Sequence, residues 1–509
     1  MRRRLPILLR LAAVLAAAPL AAQPAASRAA VDRAARSITV SDVRARIAFL
    51  AGDALKGRDT PSPGLTVAAE SIAAVFRAAG LRPAGGAGGF VQQYRFQGHP
   101  VAPAARRLGF RAADGTAVEW AYERDYFAFG ALHPAESAEA VYAGAAAMHL
   151  PPLPGSVRGK VVIYSLPGTL IEGVGMLSTA LTAGLSAGAA GVLLVADPVA
   201  DADSMAWFSR QMEASGVYTP GPVGGLRYDA ARALFRAAGL DLDSLRARPA
   251  GEPIPLRGVR LTIEQPAVAA EVTAPNVVAI LPGSDPALRG EYVVISAHFD
   301  HVGTGRPDAH GDSIFNGADD NASGTVALLE AARAFARLPR TPARSILFLA
   351  VSGEERGLKG SAYWVQHPTV PIARVVADLN LDMVGRNAPD TLYLMGQEYS
   401  SLGPAAHRVA AAHPELGFRA LPSQADPKLQ WFSRSDHVAF IMAGVPVLFF
   451  TTLPHPDYHR LSDEPSHLDA EKLTRVSRML FYVAHAVASE RARPAWTASG
   501  LNRARAAIK

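Results

Sequence analysis

The chain has 509 residues, 49% hydrophobic and 19% charged, too long for one ordinary domain and too apolar for a disordered one. It contains no cysteine, so disulfides, thiolate metal ligands and a lipidated N-terminal cysteine are excluded, and a metal site would have to use His, Asp and Glu. The formal charge of +6 comes without a long Lys/Arg run or basic–aromatic interleaving, which argues against a nucleic-acid partner.

Met1-Arg2-Arg3-Arg4 precedes an apolar stretch over 5–20, and Ala21-Ala22-Gln23 offers small residues for a signal peptidase. Residues 1–22 are therefore expected to be a secretory signal, with export to the periplasm or the medium; an uncleaved anchor is the rival reading. Cleavage after Ala22 would remove four arginines and leave +2. No later run of 18 or more apolar residues occurs, so no stable membrane insertion is expected after cleavage.

Residues 23–130 are expected to begin the main domain. They start with a loose Ala-rich leader over 23–37, then a helix over 40–50 with Ser41 as N-cap. A turn-rich loop over 57–64, a helix over 65–79 and a strand over 90–96 follow. The texture changes over 131–271, where apolar strands at 159–164 and 190–195 flank a small-residue helix at 177–189. This segment predicts a small β-rich domain inserted into the main one. Over 272–490, apolar runs at 277–281, 292–297, 345–351, 375–381 and 445–450 are joined by helical segments such as 324–338; another helix over 468–487 follows the last. That alternation predicts an α/β fold, a three-layer α/β/α sandwich with a mainly parallel central sheet. The basic tail, 491–509, is expected to be frayed.

In an open α/β sheet, ligands bind beyond the carboxyl ends of the strands, and acids and histidines gather at those positions. Ser296-Ala297-His298-Phe299-Asp300-His301-Val302-Gly303 closes one run. Asn316-Gly317-Ala318-Asp319-Asp320-Asn321-Ala322-Ser323-Gly324 opens a helix. Ser352-Gly353-Glu354-Glu355-Arg356-Gly357, Asn380-Leu381-Asp382-Met383 and His455-Pro456-Asp457-Tyr458-His459 follow three further runs. Each alone reads equally well as a cap or a solvated loop. Five together point to a hydrolytic centre with two divalent ions roughly 3.5–4 Å apart, which needs several ligands, one of them bridging. His and carboxylate donors suit zinc, and manganese or cobalt would also bind.

In this order the motifs His-x-Asp, Gly-Ala-Asp-Asp-Asn-Ala-Ser-Gly, Gly-Glu-Glu-x-Gly-x-x-Gly-Ser, Leu-Asp-Met and Tyr-His-x-x-x-Asp resemble the M28 family of metallopeptidases. Asp53-Ala54-Leu55-Lys56-Gly57-Arg58 resembles that family's N-terminal segment. The resemblance implies a zinc exopeptidase acting on peptides or small proteins, of the aminopeptidase type. It implies two zinc ions: His298 and Asp382 on the first, Glu355 and His459 on the second, and Asp320 bridging, with Asp319 its rival. Glu354 would be the general base and Asp300 would orient His298. Ser435-Asp436-His437 also resembles a family motif, and Asp436 would support the site. The inserted segment resembles, more loosely, a protease-associated domain.

Other readings stay open. A carboxypeptidase of the same family would need a cation for the substrate carboxylate, and Arg306, Arg386 and Arg434 lie near site motifs. An aminoacyl-cyclising enzyme on a related fold and a non-catalytic binding protein are further alternatives. Gly184-Leu185-Ser186-Ala187-Gly188 matches a serine-hydrolase elbow, but with helix before and strand after, the reverse of what that elbow needs.

Overall fold

A computed structural model describes residues 27–98, 107–122, 124–128, 135–147, 149–166, 170–198, 223–264, 270–305, 307–308, 310–423 and 431–508. The expected signal at 1–22 and Arg306 lie outside them.

Eight strands build the first sheet: β1 (Arg82–Pro83), β2 (Val91–Gly98), β3 (Ala270–Leu281), β4 (Tyr292–His298), β5 (Ser345–Val351), β6 (Val375–Leu381), β7 (Tyr393–Met395) and β8 (Val447–Thr451). Their order is β1-β3-β5-β4-β6-β8-β7, and β2 also pairs with β3. The pairs β4–β5, β4–β6 and β6–β8 are parallel. The pairs β1–β3, β2–β3, β3–β5 and β7–β8 are antiparallel. The sheet is thus mixed, with a parallel centre, and not mainly parallel as the apolar runs suggested. Such runs report burial on both faces and carry no information on strand direction.

Both faces are covered because successive side chains leave a strand on opposite sides. Val293, Ile295 and Ala297 of β4, with Ile346, Phe348 and Ala350 of β5, pack against Gly324–Ala336, Ala470–Ser489 and Pro63–Ala78. Val294, Leu347, Leu349 and Val351 meet Trp364 of Lys359–Gln366, Phe440 and Ile441 of His437–Met442, and Ala504 of Gly500–Ala507. Among the described residues no helix is long and apolar enough to cross a membrane.

Several local expectations are corrected. Arg28–Arg36 is a helix capped by Ser27, with Ala34 and Ala35 buried, where a loose leader was expected. Alanine's small side chain lets the backbone approach the sheet-covering helix Ala470–Ser489, and the arginines take the other side. The helix Val40–Leu50 is capped by Thr39, whose hydroxyl accepts from Asp42 N at 3.1 Å, and not by Ser41. The tail is not frayed over its described part. Gly500–Ala507 is helical with Ala504 buried, and Trp496 Nε1 donates to Gly444 O at 2.8 Å.

A second eight-stranded sheet takes strands from Arg107–Ala112 to Ile254–Glu264. It begins upstream of residue 131, because Arg107–Ala112 pairs antiparallel with Ile254–Glu264 over Arg107 to Ala112. Ser186 ends the helix Leu170–Ser186 here, and the strand Gly191–Val195 follows it.

Candidate metal centre

The parallel centre of the first sheet determines the site. His298 is the last residue of β4 and lies in register with Val351, the last of β5. Glu354 and Glu355 follow three and four residues later. Asp382 is the first residue after β6, and His455 and His459 lie in the loop after β8. Because β4, β5, β6 and β8 run the same way, four loops open at one edge. Asp320 joins them from the turn before Gly324–Ala336. Asn321 fastens that turn, with Nδ2 donating to Leu381 O at 2.9 Å and Oδ1 accepting from Gly324 N at 2.8 Å. The Thr325 hydroxyl donates to His298 O at 2.7 Å.

Two donor sets result, and they share one carboxylate. His298, Asp320 and Asp382 form one; His301, Asp320, Glu355 and His459 form the other, with the donor atoms of each set within 4.8 Å of one another. His298 Nε2 stands 3.4 Å from Asp320 Oδ1 and 3.4 Å from Asp382 Oδ1. On the other side, His459 Nε2 and His301 Nδ1 lie 3.0 and 2.9 Å from Glu355 Oε1, and His459 Nε2 is 2.5 Å from Asp320 Oδ2. Both oxygens of Asp320 are therefore used, one toward each set.

The donors fit a divalent cation. His298 Nε2 and Asp382 Oδ1 are buried without a hydrogen bond, a costly state for polar atoms that an ion between them would relieve. Three carboxylates and three imidazoles with no sulfur suit zinc and its neighbours.

The adjacent glutamates are pushed apart in acidity. Burial lifts Glu354 well above the usual carboxylate range, with Glu355, Asp436 and Asp382 adding to the rise and His298 opposing it. Burial also acts on Glu355, yet His459 and His301 hold it well below that range. Burial lowers His459, but Glu355 and Asp320 outweigh it and bring the imidazole up to about 9. Glu354 is half-buried and belongs to neither donor set; its backbone N–H donates to Asp300 Oδ1 at 3.3 Å. A raised acid beside a lowered one is the pattern of a proton carrier next to a ligand.

Asp300, expected to orient His298, faces that imidazole with its carboxylate. Its Oδ1 lies 3.6 Å from His298 Nδ1, too far for a hydrogen bond, and the nearer contact is its own carbonyl at 3.3 Å. The carboxylate also accepts from Gly353 N at 2.7 Å and the Thr60 hydroxyl at 2.9 Å, tying the loops after β4 and β5 together. Asp436 is fully buried at the start of His437–Met442, and burial raises its carboxyl to about 7. Asp319 turns away from both sets, accepting from Gly385 N at 2.7 Å and facing His455 Nε2 at 3.4 Å.

Three residues lie within the quoted motifs but acquire a role only from the structure. His301 sits inside the motif of His298 but was given no role. Asp463 accepts the backbone N–H groups of Asp319 and Asp320 at 3.0–3.1 Å. Arg58, only 1% exposed, donates to the carbonyls of Phe299 (2.8 Å), Asn316 (2.7 Å), Gly317 (3.0 Å) and Leu50. A lone arginine in a turn-rich stretch defaults to a solvated reading, so only the motif resemblance marked it.

Residues 276–484 match the profile of Peptidase family M28. Aminopeptidase YwaD of Bacillus subtilis is 32% identical over 202 residues, which is 37% of this chain and 40% of that protein. The BOS complex subunit NCLN of Canis lupus familiaris is 31% identical over 215 residues, 37% of this chain and 36% of that protein. The chain thus spans about two fifths of the length of these relatives. The aminopeptidase from Aneurinibacillus sp. strain AM-1 shares the fold, with a TM-score of 0.61 and 20% identity over 91% of this chain and 97% of that one.

Proposed function

We propose that this chain, which belongs to peptidase family M28 through residues 276–484, is an exported two-zinc exopeptidase that removes N-terminal residues from peptides. The observation that carries the reading is the pair of buried donor sets meeting on Asp320. The two donor sets, whose members all lie within reach of one another, are what favours catalysis over a binding role. Export rests on residues 1–22 alone. The 107–264 sheet, in part similar in sequence to a protease-associated domain, contributes no donor among the described residues and is assigned no chemical step.

Bound zinc would supply Lewis acidity to the scissile carbonyl and to the attacking water. His298 and Asp382 would hold one ion, His459 and Glu355 the other, and Asp320 both. Glu354, with its affinity for a proton raised by burial, takes the proton of the attacking water and returns it to the leaving amine. Asp300 fixes the Glu354 backbone relative to the loop of His298.

The carboxypeptidase reading requires a free cation in the cleft. Of the three arginines named above, the two among the described residues are engaged: Arg386 is ion-paired with Asp457 at 2.5 Å, and Arg434 lies over the Trp431 ring at 5.2 Å. This favours recognition of a free amine, which the carboxylate-rich centre suits. The test is hydrolysis of aminoacyl-p-nitroanilides against N-blocked, C-terminally acidic dipeptides, with and without chelator. Chelator-sensitive cleavage confined to free-amine substrates is expected; cleavage confined to the blocked acidic peptides would overturn the aminopeptidase assignment. Glu354→Gln should abolish hydrolysis with metal content unchanged, and retained activity would refute Glu354 as the base.

A further inference from the structure

We infer that the two metal positions are unequal because His301 is a fourth protein donor to one of them, so that the ions leave in sequence and the one at His298 and Asp382 leaves first. This rests on the two-metal reading above and goes beyond it, since no role for His301 follows from the motif roles.

His301 is fully buried. Its Nδ1 faces Glu355 Oε1 at 2.9 Å and Asp320 Oδ2 at 3.7 Å, the same two oxygens that His459 Nε2 meets. The two imidazoles stand 5.4 Å apart, centroid to centroid. His301 is also held in place. Its backbone N–H donates to Arg58 O at 3.2 Å, and its ring packs on Gly317, where a Cβ would come within 2.4 Å of the ring at a left-handed φ of +58°. The bare glycine leaves the space the imidazole occupies.

The donor counts therefore differ. One position has two imidazoles and two carboxylates, four protein donors, the number that would close a zinc site. The other has one imidazole and two carboxylates, which leaves a place for an exchanging ligand.

The test is stepwise zinc removal from the full chain by a graded chelator series, with metal content read by mass spectrometry and the cobalt-substituted protein read by its visible absorption. Two separate release steps are expected from the unaltered protein, the second at least about 10-fold higher in chelator. In His301→Ala the second step should move down by about 10–100-fold, and the cobalt spectrum of the retained ion should shift. Asp382→Asn should remove the first step and leave the second. His301→Gln, with circular dichroism, guards against a folding defect. Joint release of both ions from the unaltered protein, or an unmoved second step in both His301 variants, overturns the inference. Protein that never holds more than one ion refutes the two-metal reading instead; there, a fall in affinity in His301→Ala still identifies the donor, and no fall removes it.

Discussion

Arg58→Ala is the sharpest structural perturbation available. The guanidinium sits among four carbonyl oxygens drawn from three parts of the chain: Leu50 at the end of a helix, Phe299 after β4, and Asn316 with Gly317 before the Asp320 turn. Burial lowers its pKa to about 10, still charged at neutrality, with Asp300, Asp320, Asp463 and Glu355 favouring the cation. Alanine would orphan three acceptors, the carbonyls of Leu50, Phe299 and Asn316, while Gly317 O keeps the Ala322 N–H at 3.2 Å. At the low end of roughly 1–3 kcal/mol for an unsatisfied buried group, because water enters the vacated space, three orphans amount to about 3 kcal/mol. Arg58→Lys keeps the charge but cannot span the fork, and should lose about half as much. Urea unfolding at neutral pH measures the free energy, and metal content shows whether the loops of His298 and Asp320 stay aligned. A loss below about 1 kcal/mol with full metal content would mean that the clamp is dispensable and that the loops hold themselves.

Other outcomes follow from the same geometry. Asp463→Asn leaves one oxygen that can accept from both backbone N–H groups but turns an amide N–H toward Asp319 N and should cost about 1–3 kcal/mol, with weaker metal retention measured by dialysis against chelator. Gly57→Ala would place a Cβ 2.3 Å from Gly303 O at a φ of +68° and should lower the melting temperature; an unchanged value would refute the close approach. His437 is buried, which lowers its pKa to about 4. The unfolded chain then binds the extra proton between pH 6.5 and 4, so stability should fall by about 3 kcal/mol as pH drops through that window. His437→Gln should flatten this part of the profile in urea unfolding at pH 7, 5.5 and 4.5. Ser186→Ala should leave hydrolysis of aminoacyl-p-nitroanilides unchanged, and lost activity would reopen the serine reading.

The donor residues were legible because each follows an apolar run or opens a helix, and strand ends are where α/β sheets expose chemistry. His298, Asp320, Glu355, Asp382 and His459 meet in space for that reason. Strand direction was not legible, because β3 is as apolar as β4 whichever way it runs. The contribution of Arg28–Arg36 was hidden by its alanines, which carry little hydrophobic contrast yet pack closely. Asp300 was read as a partner of the nearest histidine, and its carboxylate also bonds to Gly353 and Thr60, residues distant in sequence. Arg58 and Asp463 act on backbone groups, and a sequence gives no sign of which carbonyl or amide a side chain will meet.

The pairing of β2 with β3 has a consequence of its own. Gly98 lies opposite Ala270 in that antiparallel ladder, so everything between them, including the second sheet, leaves and returns at one point, as the turn of a hairpin does. Closing so long an excursion costs little more entropy than closing a moderate one, because the penalty grows only with the logarithm of length. The first sheet is thus indifferent to what fills the excursion. A short turn joining Gly98 to Ala270 would keep the ladder, and every donor residue downstream would keep its place. Selection could then lengthen, replace or delete that passenger without moving the donor residues, making the strand pair a grafting point.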